Sequence, residues 1–157
     1  MLTMSSTHEM PALGWRSWVI GARELGTRLP MAAIEVLLRV GIASVFWKSG
    51  MTKLANWDLT LALFAKEYQV PVLPPEIAAY LATAAELTCP VLLVFGIGAR
   101  FGAAALLGMT FVIQLFVYPD NWSEHLLWAS ILVYILTRGA GVISIDHLIY
   151  RWFLNRA

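Results

Sequence analysis

Charge is scarce in this chain: Asp, Glu, Lys and Arg make up 13% of its 157 residues, where a soluble domain carries about 25%. Cysteine is scarcer still. Cys89 stands alone, which excludes an internal disulfide and any Cys-x-x-Cys relay. Of three histidines, His8 falls in the leading segment and His147 near the end, so His125 is the one within an apolar stretch. Haem held between paired intramembrane histidines is thereby disfavoured. A net charge of +1 gives no reason to expect nucleic acid as a partner. The sequence holds no phosphate-binding or dinucleotide-binding glycine loop, no H-E-x-x-H and no nucleophile elbow. Its first residues lack the basic start and apolar core of a cleavable signal, so the mature start is expected near Met1, with Met4 as the alternative.

What the chain has instead is apolar length. Hydrophobic residues make up 59%, mean hydropathy is +0.70, and seven Trp suit the interfacial belts of a membrane protein. Four stretches approach the roughly 20 residues that helical crossing of hydrocarbon requires: about 30–52, 76–96, 99–118 and 122–138. Backbone groups find no water in lipid, so these read as helices. The expected fold is an all-α membrane protein, a four-transmembrane-helix bundle over 30–138. Residues 1–29 form a cytoplasmic segment with an interfacial helix, in which Trp15, Trp18 and Leu25 alternate with Arg16, Arg23 and Arg28. Residues 139–157 form an interfacial tail with Ser144 as N-cap. The longest connection, 56–75, reads as a short amphipathic helix followed by a proline stop. Seven arginines fall on the side shared by the termini and the 96–100 turn, against Lys53, Lys66 and Lys48 opposite. Both termini are therefore expected in the cytoplasm.

Two charges interrupt the apolar stretches. At 1.5 Å per residue, Arg39 lies about 14 Å beyond Pro30 and Glu86 about 15 Å beyond Glu76, depths similar enough for the two to pair. Glu35, four residues before Arg39, offers a local partner instead. Ionisable groups inside a membrane are functional candidates by default, and a pair that only fixes bundle register is the competing reading. Pro90 strengthens the case for Glu86, because proline frees the carbonyl of the residue four earlier. A proline that merely bends the span is the plainer explanation.

A second polar group, Lys48, Ser49, Lys53, Gln114, Asp120 and His125, gathers towards the opposite end of the spans. His125 there could relay protons or hold a small polar head group, or simply bond to a neighbouring helix. Glu86, Cys89 and His125 lack dedicated metal spacing, and no metal site is assigned. Gly98-x-x-x-Gly102 and Ala104-x-x-x-Gly108 read as packing motifs.

The order of these residues resembles the DoxX family of small bacterial membrane proteins. Matching pieces are Arg39-Val-Gly41 leading to Phe46-Trp47-x-Ser49-Gly50-x-x-Lys53, Glu86 followed by Leu93 to Gly98, His125-Leu-Leu-Trp128, and Gly139-Ala-Gly141-x-x-Ser144-Ile-Asp146, together covering roughly 30–147. The resemblance implies a four-helix bundle in the bacterial inner membrane. It further implies association with a quinone-linked or thiol- and sulfur-related oxidoreductase system, with quinone the implied cofactor. On that reading Glu86 and Arg39 are the catalytic candidates, forming a buried charged centre with Glu86 as proton carrier. His125, Lys53, Gln114 and Ser49 are the binding candidates at the mouth. Expected partners are the bilayer, an oxidoreductase subunit and further copies of the chain. The alternative is a non-catalytic module: a small-solute or metal-export component, or a scaffold. The lone cysteine argues against thiol–disulfide exchange within one subunit.

Overall fold

In the computed structural model, residues 30–154 are described apart from Gln69 and Val72. The expected helix over Trp15–Arg28 and the last three residues lie outside them. Described residues form six α-helices and no strand: α1 Met31–Ala55, α2 Trp57–Leu63, α3 Pro75–Phe95, α4 Ala99–Val112, α5 Trp122–Arg138 and α6 Ile145–Leu154. Two of them widen into π-type turns, α2 into Phe64–Tyr68 and α4 into Ile113–Val117. Two segments, Pro75–Phe95 and Ala99–Val117, are long and apolar enough to cross a membrane.

Local chemistry sets the ends. The Asn56 side chain accepts from Leu59 N–H at 3.0 Å and starts α2. Pro75 begins α3, where its missing N–H costs nothing. That helix closes at Gly96, whose φ of 64° is one that glycine adopts freely; Ile97 N–H donates to Leu92 O and Gly96 N–H to Leu93 O. Beginning three residues later, α4 takes its cap from a distance: Gly98 N–H and Ala99 N–H donate to the two Asp146 carboxylate oxygens at 2.8 and 3.1 Å. A carboxylate there satisfies orphan donors and meets the positive end of the helix dipole. Ser144 caps α6 in turn, accepting from His147 N–H at 3.2 Å.

The core joins Ile42, Ala43 and Phe46 of α1 to Leu93 of α3, Ala103 and Leu106 of α4, and Leu132 and Ile135 of α5. Small residues set the closest approaches. Without a side chain at Gly102, α4 comes near Cys89 O of α3, and a Cβ there would lie 3.4 Å away. Large apolar side chains such as Leu37, Phe101, Phe111 and Leu126 point outward and are exposed. A water-soluble protein rarely presents so continuous an apolar surface.

Candidate functional site

The register of α1 against α3 decides where the charges fall. A Cβ on Gly50 would lie 3.1 Å from Glu86 Cβ, and one on Gly96 would lie 2.6 Å from an Arg39 guanidinium nitrogen. Glu86 is thus level with Gly50, about 16 Å along α1 from Arg39. Helix α1 overshoots the end of α3 by about two turns, so counting inward from each helix start misaligned the two residues. Side-chain direction widens the gap, because each side chain tilts towards the N-terminus of its own helix and these helices run antiparallel. Arg39 and Glu86 lean apart, and the buried centre expected from the pair of them is not formed.

Arg39 finds carbonyls instead. One guanidinium nitrogen donates to Leu93 O at 3.3 Å and Val94 O at 3.4 Å, the other to Ile143 O at 2.6 Å. It caps the negative end of α3 and ties it to the segment before α6. Glu35 accepts from the Tyr134 hydroxyl at 3.3 Å and approaches Gly141 closely. With Asp146, Ser144 and the two glycines, this end of the bundle is a stitched junction.

Glu86 meets the second polar group. Lys53 Nζ donates to both its oxygens, at 2.8 and 2.7 Å, and to Ser49 Oγ at 2.9 Å; Ser49 Oγ donates to Glu86 Oε1 at 3.1 Å. Ser49 and Lys53 lie four apart on one face of α1, which turns both hydroxyl and ammonium onto α3. The Glu86 side chain is 3% exposed and that of Lys53 17%.

Gln114 and His125 form the other polar unit. His125 Nδ1 and Gln114 Oε1 are 2.6 Å apart, and Gln114 Nε2 donates to Pro119 O at 2.6 Å. Both side chains are buried. The His125 ring lies beside Trp128, with centroids 5.2 Å apart, and Trp128 meets Phe46 edge-on.

Between the two units lies a cavity of about 490 Å³, with Ser49, Lys53 and Glu86 on one wall and His125 and Trp128 on another. The rest of its surface is mainly apolar, including Phe46, Met109 and Val112. Both π-type turns border it, through Phe64 and Tyr68 and through Ile113 and Val117. Wide turns of this kind are frequent at functional sites. Of the expected site residues, the structure brings Glu86, Lys53, Ser49 and His125 to one cavity, with Gln114 behind His125. Arg39 is placed elsewhere, and Lys48 and Asp120 are exposed outside the lining.

Sequence reasoning passed over the walls supplied by the 56–75 connection and the 118–121 turn. Tyr118 donates to the Tyr68 hydroxyl across 3.5 Å, and both line the cavity. Burial pushes the Tyr68 phenol above its ordinary range. The four-residue spacing of Phe64 and Tyr68 was a readable signal. Among the described residues no His, Cys, Asp and Glu cluster could hold a metal ion, and Cys89 packs in the core.

Comparison with known proteins adds the following. The DoxX family model matches residues 34–119, which takes in α1 to α4 and the following π-type turn. A Haemophilus influenzae protein described as uncharacterized is 29% identical over 134 residues, covering 78% of this chain and 87% of that one. No solved structure matches.

Proposed function

The chain belongs to the DoxX family, and from that premise we propose a multi-pass inner-membrane protein whose cavity receives the head group of a quinone-type carrier. It serves a quinone-linked or thiol- and sulfur-related oxidoreductase system as its membrane subunit. The observation that carries this reading is the cavity itself, about 490 Å³, mainly apolar, with the linked Ser49, Lys53 and Glu86 and the His125 ring on its lining. That volume falls within the roughly 300–1,000 Å³ of small-molecule sites, and such linings suit a ligand that is mostly ring and chain. The residues present fit that group: Phe46 and Trp128 offer flat apolar surface, and Glu86 and His125 offer polar contacts. The carrier supplies the redox chemistry when bound. The chain's part is to exclude water, orient the ring and offer Glu86 and His125 as proton-accepting positions.

Four crossings fit this reading. At 1.5 Å per residue, α1 spans about 37 Å and α5 about 26 Å, against about 30 Å of hydrocarbon. Two of the charges on α1, Arg39 and Lys53, are turned inward onto oxygen acceptors, the arrangement that lets ionisable groups stay in a membrane. With both termini cytoplasmic, the cavity lies towards the opposite face and the Arg39 junction closes the cytoplasmic end. A conducting path would have to break that junction, which favours a one-sided binding site over a transporter.

Calorimetric titration of detergent-purified protein with a short-chain quinone tests the proposal. Saturable one-site binding is expected, weakened at least tenfold by Trp128→Ala. Absence of binding, together with full activity of the native membrane complex carrying Glu86→Gln, would overturn it.

A further inference from the structure

The hydrogen-bond chain behind the cavity has a fixed polarity. Pro119 O is a carbonyl and can only accept, so the Gln114 atom 2.6 Å from it is the amide nitrogen. Reversing the amide would set two oxygens against each other. Gln114 Oε1 therefore faces His125 Nδ1 at 2.6 Å, and since that oxygen can only accept, Nδ1 carries the hydrogen. In the neutral imidazole the second nitrogen, Nε2, is then a bare acceptor. It has no hydrogen-bond partner among the described residues, although His125 is 4% exposed. Its ring forms part of the cavity wall.

The facing wall has the same character. The three protons of Lys53 Nζ meet three acceptors, Ser49 Oγ and the two Glu86 oxygens. No ammonium proton is left over for a ligand. Glu86 receives donors from Lys53 and Ser49 and, as a carboxylate with about four lone-pair positions, retains accepting capacity. Elsewhere on the lining the Tyr68 and Tyr118 hydroxyls can turn either way, the Glu124 carboxylate accepts, and the Asn121 amide can both donate and accept.

We infer that the cavity selects an apolar ligand carrying a hydroxyl donor, which gives its proton in a hydrogen bond to His125 Nε2, over the same ligand bearing only carbonyl or ether oxygens. The inference rests on the cavity being the carrier site, and it names the reduced, hydroquinone-like form as the preferred occupant. An aprotic ligand offers that nitrogen no donor, and an unmatched polar group of this kind is what binding sites discriminate on most strongly. Gln114 is a positioning residue here, acting by fixing which ring nitrogen bears the hydrogen.

The test is a matched ligand series titrated calorimetrically into detergent-purified protein at pH 8, under anaerobic reducing conditions for the diol. The series comprises a short-chain hydroquinone, its di-O-methyl ether, the corresponding quinone and an alkylphenol of equal length. Binding of the diol at least tenfold tighter than the ether and the quinone is expected. That preference should fall below threefold in Gln114→Leu, which retains His125 but frees its tautomer, and in His125→Phe. An alkylphenol equal to the diol would support the shared hydroxyl chemistry with a non-redox source; a diol tenfold better than the phenol would support a hydroquinone. Equal affinities for diol, ether and quinone in the wild type would overturn the selection while leaving the carrier site standing. Binding of none of the four would overturn both.

Discussion

Replacing Lys53 with methionine removes the ammonium and keeps most of the side-chain volume. Glu86 is then left 3% exposed, with Ser49 Oγ as its one remaining side-chain donor. Breaking a buried ion pair from one side costs about 3–5 kcal/mol. An independent limit agrees: neutralising a carboxyl of ordinary acidity at pH 7 costs about 1.36 × (7 − 4.3), or about 3.7 kcal/mol. Glu86→Gln should cost less, because Lys53, at 17% exposure, can turn its ammonium towards water. Cys89 supplies the assay. It is buried and the one cysteine in the chain, so a thiol-reactive fluorophore reports opening of the bundle during a thermal ramp. At about 2–4 °C per kcal/mol, a loss of about 3–3.7 kcal/mol in Lys53→Met should lower the midpoint by about 6–15 °C. The deficit should narrow at pH 5, where neutralising the carboxyl costs only about 1 kcal/mol. The double variant Lys53→Met/Glu86→Gln should be more stable than Lys53→Met alone, since it removes the stranded charge. A midpoint drop below 2 °C for Lys53→Met, or a double variant whose loss equals the sum of the singles, would refute the reasoning.

Further outcomes follow from the opposite end of the bundle. Arg39→Leu strands the carbonyls of Leu93, Val94 and Ile143 and should lower the same midpoint by several degrees. Arg39→Lys should rescue it poorly, because a point-like ammonium cannot reproduce the guanidinium fork. Gly96→Ala should be severely destabilising, since the residue has φ 64° and its Cβ would lie 2.5 Å from Ser144 Cβ. Gly108→Ala meets nothing within 4 Å and should be neutral or slightly stabilising, which makes it the control.

The helices were legible because apolar length announces itself and the proline stop, the turn at Gly96 and the Ser144 cap mark ends that they chemically form; the Asn56 cap of α2 was not read. The partners of Arg39 were not. Antiparallel register depends on how far α1 runs past α3, and nothing within either segment encodes that overshoot. Ser49 and Lys53 were recognised as one polar group with His125 and Gln114 because they share an end of the spans. That Glu86 belongs with them depends on its side chain tilting towards the start of α3. The π-type turns at Phe64–Tyr68 and Ile113–Val117 left no trace in the apolar pattern, since widening a helix by one residue changes neither its composition nor its approximate period.

Asp146 and Ile143 are translated after α5, whereas the groups that need them, the Gly98 and Ala99 amides and the Arg39 guanidinium, are made far earlier. During synthesis α1, α3 and α4 are therefore complete while that junction is still open. Arg39 keeps only the end of α3 as its partner until the segment beyond Arg138 emerges. The order of translation thus makes closure of this end a late event in biogenesis. A stalled or prematurely terminated chain would carry an uncapped helix start and a half-partnered arginine, a distinct mark by which quality control could tell it from the finished protein.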